Sequence, residues 1–296
     1  MILLIAKGDI SIKFFVFSLI FLLLLTNIYA QESCEEALEK LKAENEALKK
    51  RIAALEQQKY TYVEAIKKKG KLVVGTSADW PPFEYIDEKG NYAGIDIELA
   101  KRIAEKLGVD IEIKDMKFAA LIESLKGGLV DIVIADMTPT AGREKEVDFS
   151  LPYYFSKGHA VVSLKTTSLS SIEDLYGKKV GVQLGTTQQE WAEKNLAGKV
   201  EVIAYNRVYP DMIMVLKRGD IEAIIIGDII ANVLSKKDPA LEVKFYVGSA
   251  TVGAAVAMPQ DAEDLKFVVN TVIEELIETG EMDNIFSEEI SKWLGI

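Results

Sequence analysis

Residues Asp131-Ile132-Val133-Ile134-Ala135-Asp136-Met137-Thr138-Pro139-Thr140-Ala141-Gly142-Arg143 read as a strand that empties into a polar turn and ends on an arginine. Val130 to Ala135 is an unbroken apolar run, the right length for a strand covered on both faces and too short for a helix. Working backwards, Phe118 to Leu125 has helical spacing and is closed by Gly127-Gly128, and Val109 to Ile113 is a strand. Ile95 to Leu107 is a second helical stretch that stops at Gly108, and Lys71 to Gly75 is a short buried strand. Between them Pro81-Pro82 forbids regular structure and Lys89-Gly90-Asn91 is a turn. Strand and helix alternate, which predicts an α/β unit with a mainly parallel sheet.

Working forwards, the pattern repeats. Lys179 to Gln183 is a strand, Thr186 to Asn195 a helix, Val200 to Tyr205 a strand, Pro210 to Lys217 a helix and Ala223 to Ile226 a strand. Two α/β lobes are expected. No low-complexity linker separates them, so the chain is expected to cross on short strands near Phe155–Gly158 and again near Val252–Ala255. A tail helix, Asp261 to Thr279, and a shorter one ending at Trp293 complete the chain.

Composition narrows the functions. The 296 residues carry a net charge of -11, which gives no support to a nucleic-acid partner. One His and one Cys rule out most His/Cys metal cages and any intramolecular disulfide. His159 is the one histidine open to a Ser-His or Cys-His enzyme; no nucleophile elbow accompanies it, and it reads as structural. There is no phosphate loop and no GxGxxG after a strand, so no catalytic residue, metal or cofactor is assigned.

The first thirty residues form a targeting segment. Phe14 to Leu25 is apolar apart from Ser18, Lys7 and Lys13 precede it, and Ile28-Tyr29-Ala30 offers a small residue for cleavage. Stretched to Ala30 the run would also serve as an uncleaved anchor. Either way the rest is exported. Leu38, Leu41, Leu48, Ile52 and Leu55 then fall at spacings of three and four, with Asn45 completing a heptad seam. Asn at a seam position favours a parallel pair in register, and Glu44 would face Lys49 of the partner as Arg51 would face Glu56. The expectation is a parallel homodimer through residues 34–57, with Cys34 meeting its twin as an interchain disulfide in an oxidising compartment. A charged helical spacer, or a helix packed on its own domain, explains the same spacing.

Four further features carry chemistry. Arg143 lies beyond the carboxyl end of a strand, where open α/β sheets collect ligands, and its guanidinium suits a carboxylate; a surface arginine is the plainer alternative. Gly185-Thr186-Thr187 stands at a strand-to-helix junction, where free N–H groups attract anions, although a simple N-cap is the commoner use of Thr. Trp80, on the Pro-fixed loop after the first strand, and Phe118 form two candidate apolar walls. Asp136 and Asp228 end apolar strands, where a carboxylate can face an ammonium group or act as an ordinary turn residue.

These residues sit in motifs that resemble a known family. Gly75-Thr76-Ser77-Ala78-Asp79-Trp80-Pro81-Pro82-Phe83-Glu84 and Gly94-Ile95-Asp96-Ile97-Glu98-Leu99-Ala100 resemble the opening of the polar amino-acid-binding proteins of ABC importers, solute-binding family 3. The Asp131–Arg143 stretch, Phe149-Ser150-Leu151-Pro152-Tyr153 and Gly181-Val182-Gln183-Leu184-Gly185-Thr186-Thr187 continue the resemblance in order. It implies a two-lobed periplasmic-binding-protein fold of the type II kind, with lobes joined by two crossing strands that close on a free amino acid, polar or cationic, for a membrane permease. In this frame residues 70–156 and 254–296 form the first lobe, 157–253 the second, and 31–69 a helical spacer. The resemblance further implies that Arg143 holds the α-carboxylate with main-chain N–H groups of Thr138 and Thr187, and that Trp80 and Phe118 sandwich the side chain. It implies that Ala135 offers its carbonyl to the ammonium group. The family places an aspartate five residues after the "D-A" aspartate; here Glu222-Ala223 leads to Gly227 at that spacing, with Asp228 one further, so Asp228 or Asp136 is expected to take the role. A sensor or adhesin on the same fold, and a cyclohexadienyl dehydratase-like enzyme, remain alternatives.

Overall fold

The computed structural model describes residues 38–51 and 61–296. Residues 38–51 form helix α1. Leu38, Leu41 and Leu48 are exposed along it, and Lys42 and Lys49 pair with Glu39 and Glu46 one turn back. The targeting segment, Cys34, Ile52 and Leu55 lie outside the described residues. Among the described residues no helix is long and apolar enough to cross a membrane.

Residues 61–296 form a separate compact unit. It opens with α2 (Tyr62–Lys69), whose first turn is capped by the Thr61 hydroxyl and whose end turns on Gly70 at φ 75°. Strand β1 (Lys71–Thr76) follows, then a small antiparallel meander of β2 (Asp79–Trp80), β3 (Glu84–Ile86) and β4 (Tyr92–Ala93). Helix α3 (Ile95–Leu107) ends where the sequence ends it, at Gly108 in the left-handed region. Strand β5 (Asp110–Asp115), helix α4 (Leu121–Lys126), β6 (Ile132–Val133) and β7 (Asp148–Phe149) complete the first set. The chain crosses through β8 (Phe155–Ser156) and enters β9 (His159–Leu164), β10 (Lys179–Gln183), α5 (Thr187–Leu196), β11 (Glu201–Tyr205), α6 (Ile213–Arg218), β12 (Ala223–Gly227), α7 (Asp228–Lys237) and β13 (Leu241–Val247). It returns through β14 (Thr251–Val252) to β15 (Ala257–Met258), α8 (Glu263–Glu278) and α9 (Glu281–Leu294).

Two five-stranded sheets result, in the orders β5-β1-β6-β15-β7 and β11-β10-β12-β9-β13, and the crossing strands β8 and β14 pair antiparallel. The sheets are mainly parallel in direction, each with one reversed strand. In the second sheet β9 runs antiparallel to both β12 and β13, and in the first β15 runs antiparallel to β6 and β7. Each reversed strand directly follows a crossing strand, β9 after β8 and β15 after β14.

The apolar run around β6 shows why it is continuous. Ile132 and Ile134 join the core that holds Leu99 and Ile103 of α3, while Val133 points the other way among Leu121 and Leu125 of α4. A strand covered on both faces has no polar side to display. The ladder continues beyond the two paired residues, with Asp131 N donating to Val73 O and Ile134 N to Gly75 O. It ends where Asp136 turns into the left-handed region at φ 41°. The polar turn that follows opens into a cleft between the two sheets.

Candidate functional site

Arg143 is placed by its own turn. Its backbone N donates to the Thr140 hydroxyl at 3.3 Å, and the chain makes one tight turn from Arg143 to Lys145. The guanidinium folds back into the cleft, 9% exposed. One arm donates to Thr138 O at 2.7 Å, and the other reaches the second lobe and donates to Gly185 O at 2.9 Å. Its central carbon lies 5.2 Å from the centre of the Phe118 ring, a cation-π distance. Burial pulls its pKa down, while the charges of Glu190 and Asp136 oppose that. A guanidinium carries five N–H donors in a fork, so further N–H groups remain for a bound anion.

The facing wall is main chain. Gly185 sits at φ 82°, and a Cβ there would stand 3.1 Å from the Ala119 side chain. Only a residue without a side chain lets the second lobe approach this closely. Thr186 is the N-cap of α5: its hydroxyl accepts from Gln189 N at 3.2 Å and donates to Gln183 O at 2.7 Å. The N-cap reading therefore describes its hydroxyl. Thr187 is the first helical residue, and an N–H at that position has no partner inside the helix. Helix-start N–H groups and a guanidinium face the same space, which is an anion site by construction.

The acidic end lies at Asp136. Its Oδ2 accepts from Trp80 Nε1 at 2.8 Å, and its backbone N donates to Asp96 Oδ2 at 2.7 Å. Gly227 supplies the room: a Cβ there would lie 3.4 Å from Trp80 Cζ2 and 3.8 Å from Asp136 Oδ2. The Asp136 carboxylate thus occupies the space beside Gly227 where a strand-end side chain from the second lobe would project. Burial, then the charges of Asp96 and Asp228, push its carboxyl well above the ordinary carboxylate range, against the Trp80 hydrogen bond and Arg143. A cation arriving there reverses the sign of that environment.

Asp228 is used differently. Its Oδ1 accepts from Tyr154 OH at 2.7 Å and Ser156 Oγ at 3.3 Å, and its Oδ2 accepts from Lys157 N at 2.9 Å. Those donors belong to the crossing strand, and none is a cation.

The residues singled out from sequence, Trp80, Phe118, Ala135, Asp136, Thr138, Arg143, Thr186, Thr187 and Asp228, all line one cleft. It encloses about 500 Å³ of space not filled by atoms, part of it open to solvent. Tyr154, Ser156, His159, Gln183, Gln188, Gly227 and Gly253 complete the lining. His159, read from sequence as structural, lies in the cleft wall, edge-on to Trp191 with ring centres 6.4 Å apart. Its Nδ1 is buried without a hydrogen-bond partner, and burial lowers its pKa against the pull of Asp228. The β9–β12 register, which sets His159 opposite Gly227, is the signal that sequence spacing does not carry.

Beside the cleft the lobes are pinned together. Asp79, buried in the first lobe, accepts from Ser77 Oγ at 2.7 Å and from two second-lobe donors, Gln183 Nε2 at 3.1 Å and Val208 N at 2.5 Å. Burial pushes its pKa up to about 6. Arg207 and Asp115 form an ion pair across the same boundary at 2.8 Å. The lobes are therefore shut.

Known proteins share this arrangement. Residues 72–295 match the family described as bacterial extracellular solute-binding proteins, family 3. The arginine-binding extracellular protein ArtP of Bacillus subtilis (strain 168) is 40% identical over 223 residues, spanning 73% of this chain and 85% of ArtP. The L-cystine-binding protein TcyJ of Escherichia coli (strain K12) is 33% identical over 231 residues, spanning 78% and 85% respectively. The amino-acid ABC transporter substrate-binding protein AbpA of Streptococcus pneumoniae Canada MDR_19A, solved bound to L-arginine, superposes with a TM-score of 0.74 at 35% identity, over 78% of this chain and 99% of that one. A family match over most of the chain, a shared two-lobed fold and ordered motifs agree, and the chain belongs to the bacterial extracellular solute-binding proteins, family 3.

Proposed function

We propose that residues 61–296 capture a free cationic amino acid, with L-arginine the favoured ligand, and present it to the permease of an ABC transporter. The observation that carries the reading is the pairing, in one cleft, of Arg143 and the Thr187 helix start with the Asp136 carboxylate at the other end. In this reading the α-carboxylate rests on Arg143 and the main-chain N–H groups of Thr138 and Thr187. The ammonium group faces Asp136 and the Ala135 carbonyl. Trp80 and Phe118 flank the side chain. We assign the ammonium to Asp136 over Asp228 because Asp228 is already met by three donors of the crossing segment.

The charge count favours a cationic side chain. A zwitterion satisfies Arg143 and one aspartate, which leaves the Asp228 carboxylate in the cleft wall with only neutral donors around it. The arginine ligands named for ArtP and AbpA point the same way. Ligand contacts to both lobes exist only when the lobes are shut, so binding selects the closed state. We divide the unit as 70–156 with 254–296 for the first lobe and 157–253 for the second.

A thermal-shift screen over the twenty amino acids and L-cystine tests the reading, because a ligand that binds the folded state alone raises its melting temperature. The expected result is a rise with L-arginine that exceeds the rise with any uncharged amino acid. A larger rise with L-cystine or glutamine contradicts the cationic assignment. We read the chain as a binder and not an enzyme; formation of an aromatic product from prephenate or arogenate contradicts that. We further propose that residues 1–30 export the chain and are cleaved or kept as an anchor, and that the seam of residues 34–57 pairs two copies in parallel with a Cys34–Cys34 disulfide. Leu38, Leu41 and Leu48, exposed along α1, are consistent with such a seam. Sedimentation as a monomer at micromolar concentration would remove the pairing.

A further inference from the structure

Beneath the cleft, on the first-lobe side, lies a second tier of acids behind its lining. Glu84 stands opposite Trp80 in the β2–β3 hairpin and is 1% exposed. Its Oε2 meets no N–H or O–H donor. The Glu84 carboxyl lies within hydrogen-bonding reach of the Asp96 carboxyl. Two carboxyl groups make a hydrogen bond only with a proton between them. Asp96, fully buried at the start of α3, accepts in addition from Tyr153 OH at 2.8 Å and from the backbone N of Asp136 at 2.7 Å. None of Glu84, Asp96 and Tyr153 lines the cleft.

Asp136 holds φ at 41°, a conformation disfavoured for a residue with a Cβ and held there by its surroundings. The enforcing contacts are two. Asp96 grips its backbone N–H, and Trp80, the register partner of Glu84, grips its carboxylate. The hairpin that carries Glu84 and Trp80 and the helix that carries Asp96 thus meet on one residue.

We propose that Glu84 and Asp96, joined by one shared proton, are positioning residues that hold Asp136 in its left-handed turn and so aim its carboxylate at the ammonium group of the ligand. This rests on the reading of Asp136 as the ammonium site. The groups facing the pair are Tyr153, Asp136 and Asp79, so the pair is surrounded by acids. Burial first, then the charges of Asp96, Asp136 and Asp79, push the Glu84 carboxyl well above the ordinary range, which favours its protonated form. Loss of that proton would leave two buried charges side by side, and the turn above them would relax.

The test compares L-arginine with 5-guanidinopentanoate, the same molecule without its ammonium group, by isothermal titration calorimetry. The full chain should prefer arginine by about 10- to 100-fold, the worth of one charged hydrogen-bonded contact. Glu84→Met keeps the length and removes the proton. It should cut that preference about tenfold by weakening arginine alone, with the affinity for 5-guanidinopentanoate unchanged within about twofold. Glu84→Gln, which can still donate to Asp96, should restore the preference. Tyr153→Phe, which removes one donor to Asp96 and keeps the ring, supplies a second reading should Glu84→Met fail to fold, and should move the preference the same way. A purely structural role predicts equal losses for the two ligands. Equal losses, or an unchanged preference in both Glu84→Met and Tyr153→Phe, overturn the inference while leaving Asp136 as the ammonium site. A natural chain that binds both ligands equally overturns the Asp136 reading and the inference together.

Discussion

The two walls of the cleft are built from different materials. The first-lobe wall is side chains: Arg143, Asp136, Trp80 and Phe118, each locked by its own partners. The second-lobe wall, where it meets Arg143 and Asp136, is main chain: the carbonyl of Gly185, the start of α5 at Thr187 and the bare backbone of Gly227. The first wall carries charge and tells ligands apart. Where it faces Arg143 and Asp136, the second offers backbone and must come close to contribute. Glycine at 185 permits that approach, and the Asp79 and Arg207 bonds hold it. Substitutions in the first wall should therefore cost ligand recognition, and those in the second should cost closure.

Arg143 is where the division should break first. Arg143→Ala should lower affinity by roughly 100-fold or more, because a desolvated carboxylate loses its partner at a cost of ~3 kcal/mol or more. Arg143→Lys should recover only part, since a single ammonium cannot bridge Thr138, Gly185 and a ligand at once. Next come the two aspartates. Asp136→Asn should weaken an amino-acid ligand about 10- to 100-fold in calorimetry, on the scale of a charged hydrogen bond. Asp228→Asn should weaken L-arginine less than Asp136→Asn does and leave an uncharged amino acid within a few-fold; the reverse ranking moves the ammonium group to the second lobe. The second wall is sharpened by its glycines. Gly185→Ala, at φ 82° and against Ala119, should cost about tenfold in affinity, in line with ~1–2 kcal/mol of strain and crowding. Gly227→Ala meets only ordinary contacts and should change affinity by less than about threefold.

The smallest effect separates the walls by pH. Burial raises Asp79 and Asp96, both of the first lobe, to about 6. Each has a folded pKa above its unfolded one, so the folded chain holds more protons than the unfolded chain between the two values. Their contribution is complete below the unfolded pKa of about 3.9 and is lost as pH rises through 6. Scanning calorimetry should therefore find a melting temperature a few degrees higher at pH 5 than at pH 7.5. Asp79→Asn should flatten that slope. A melting temperature that rises with pH over this range contradicts the burial of these acids.

What sequence makes legible follows from the range of each interaction. Helix α3 can be bounded from its spacing and Gly108 because both are local. The same holds for β10 and for the cap at Thr186. Arg143 is legible as a strand-end arginine, and the motif order brings it into a cleft with Trp80, Phe118 and Thr187. The antiparallel β9 and β13 are less legible, since an apolar strand looks alike in either direction. His159 enters the cleft wall only through the register of β9 against β12, which sets it opposite Gly227, sixty-eight positions on. The Glu84–Asp96–Asp136 stack joins a hairpin, a helix start and a strand end. Nothing in the spacing of three acids so far apart announces that Asp96, buried beside Glu84, accepts from the backbone N of Asp136.

The most direct measurement is a crystal structure of the full chain with L-arginine. The account predicts the α-carboxylate between the Arg143 guanidinium and the backbone N–H of Thr187, with the ammonium group against Asp136. An α-carboxylate held elsewhere, with Arg143 still closed on Gly185 and free of ligand, would contradict it.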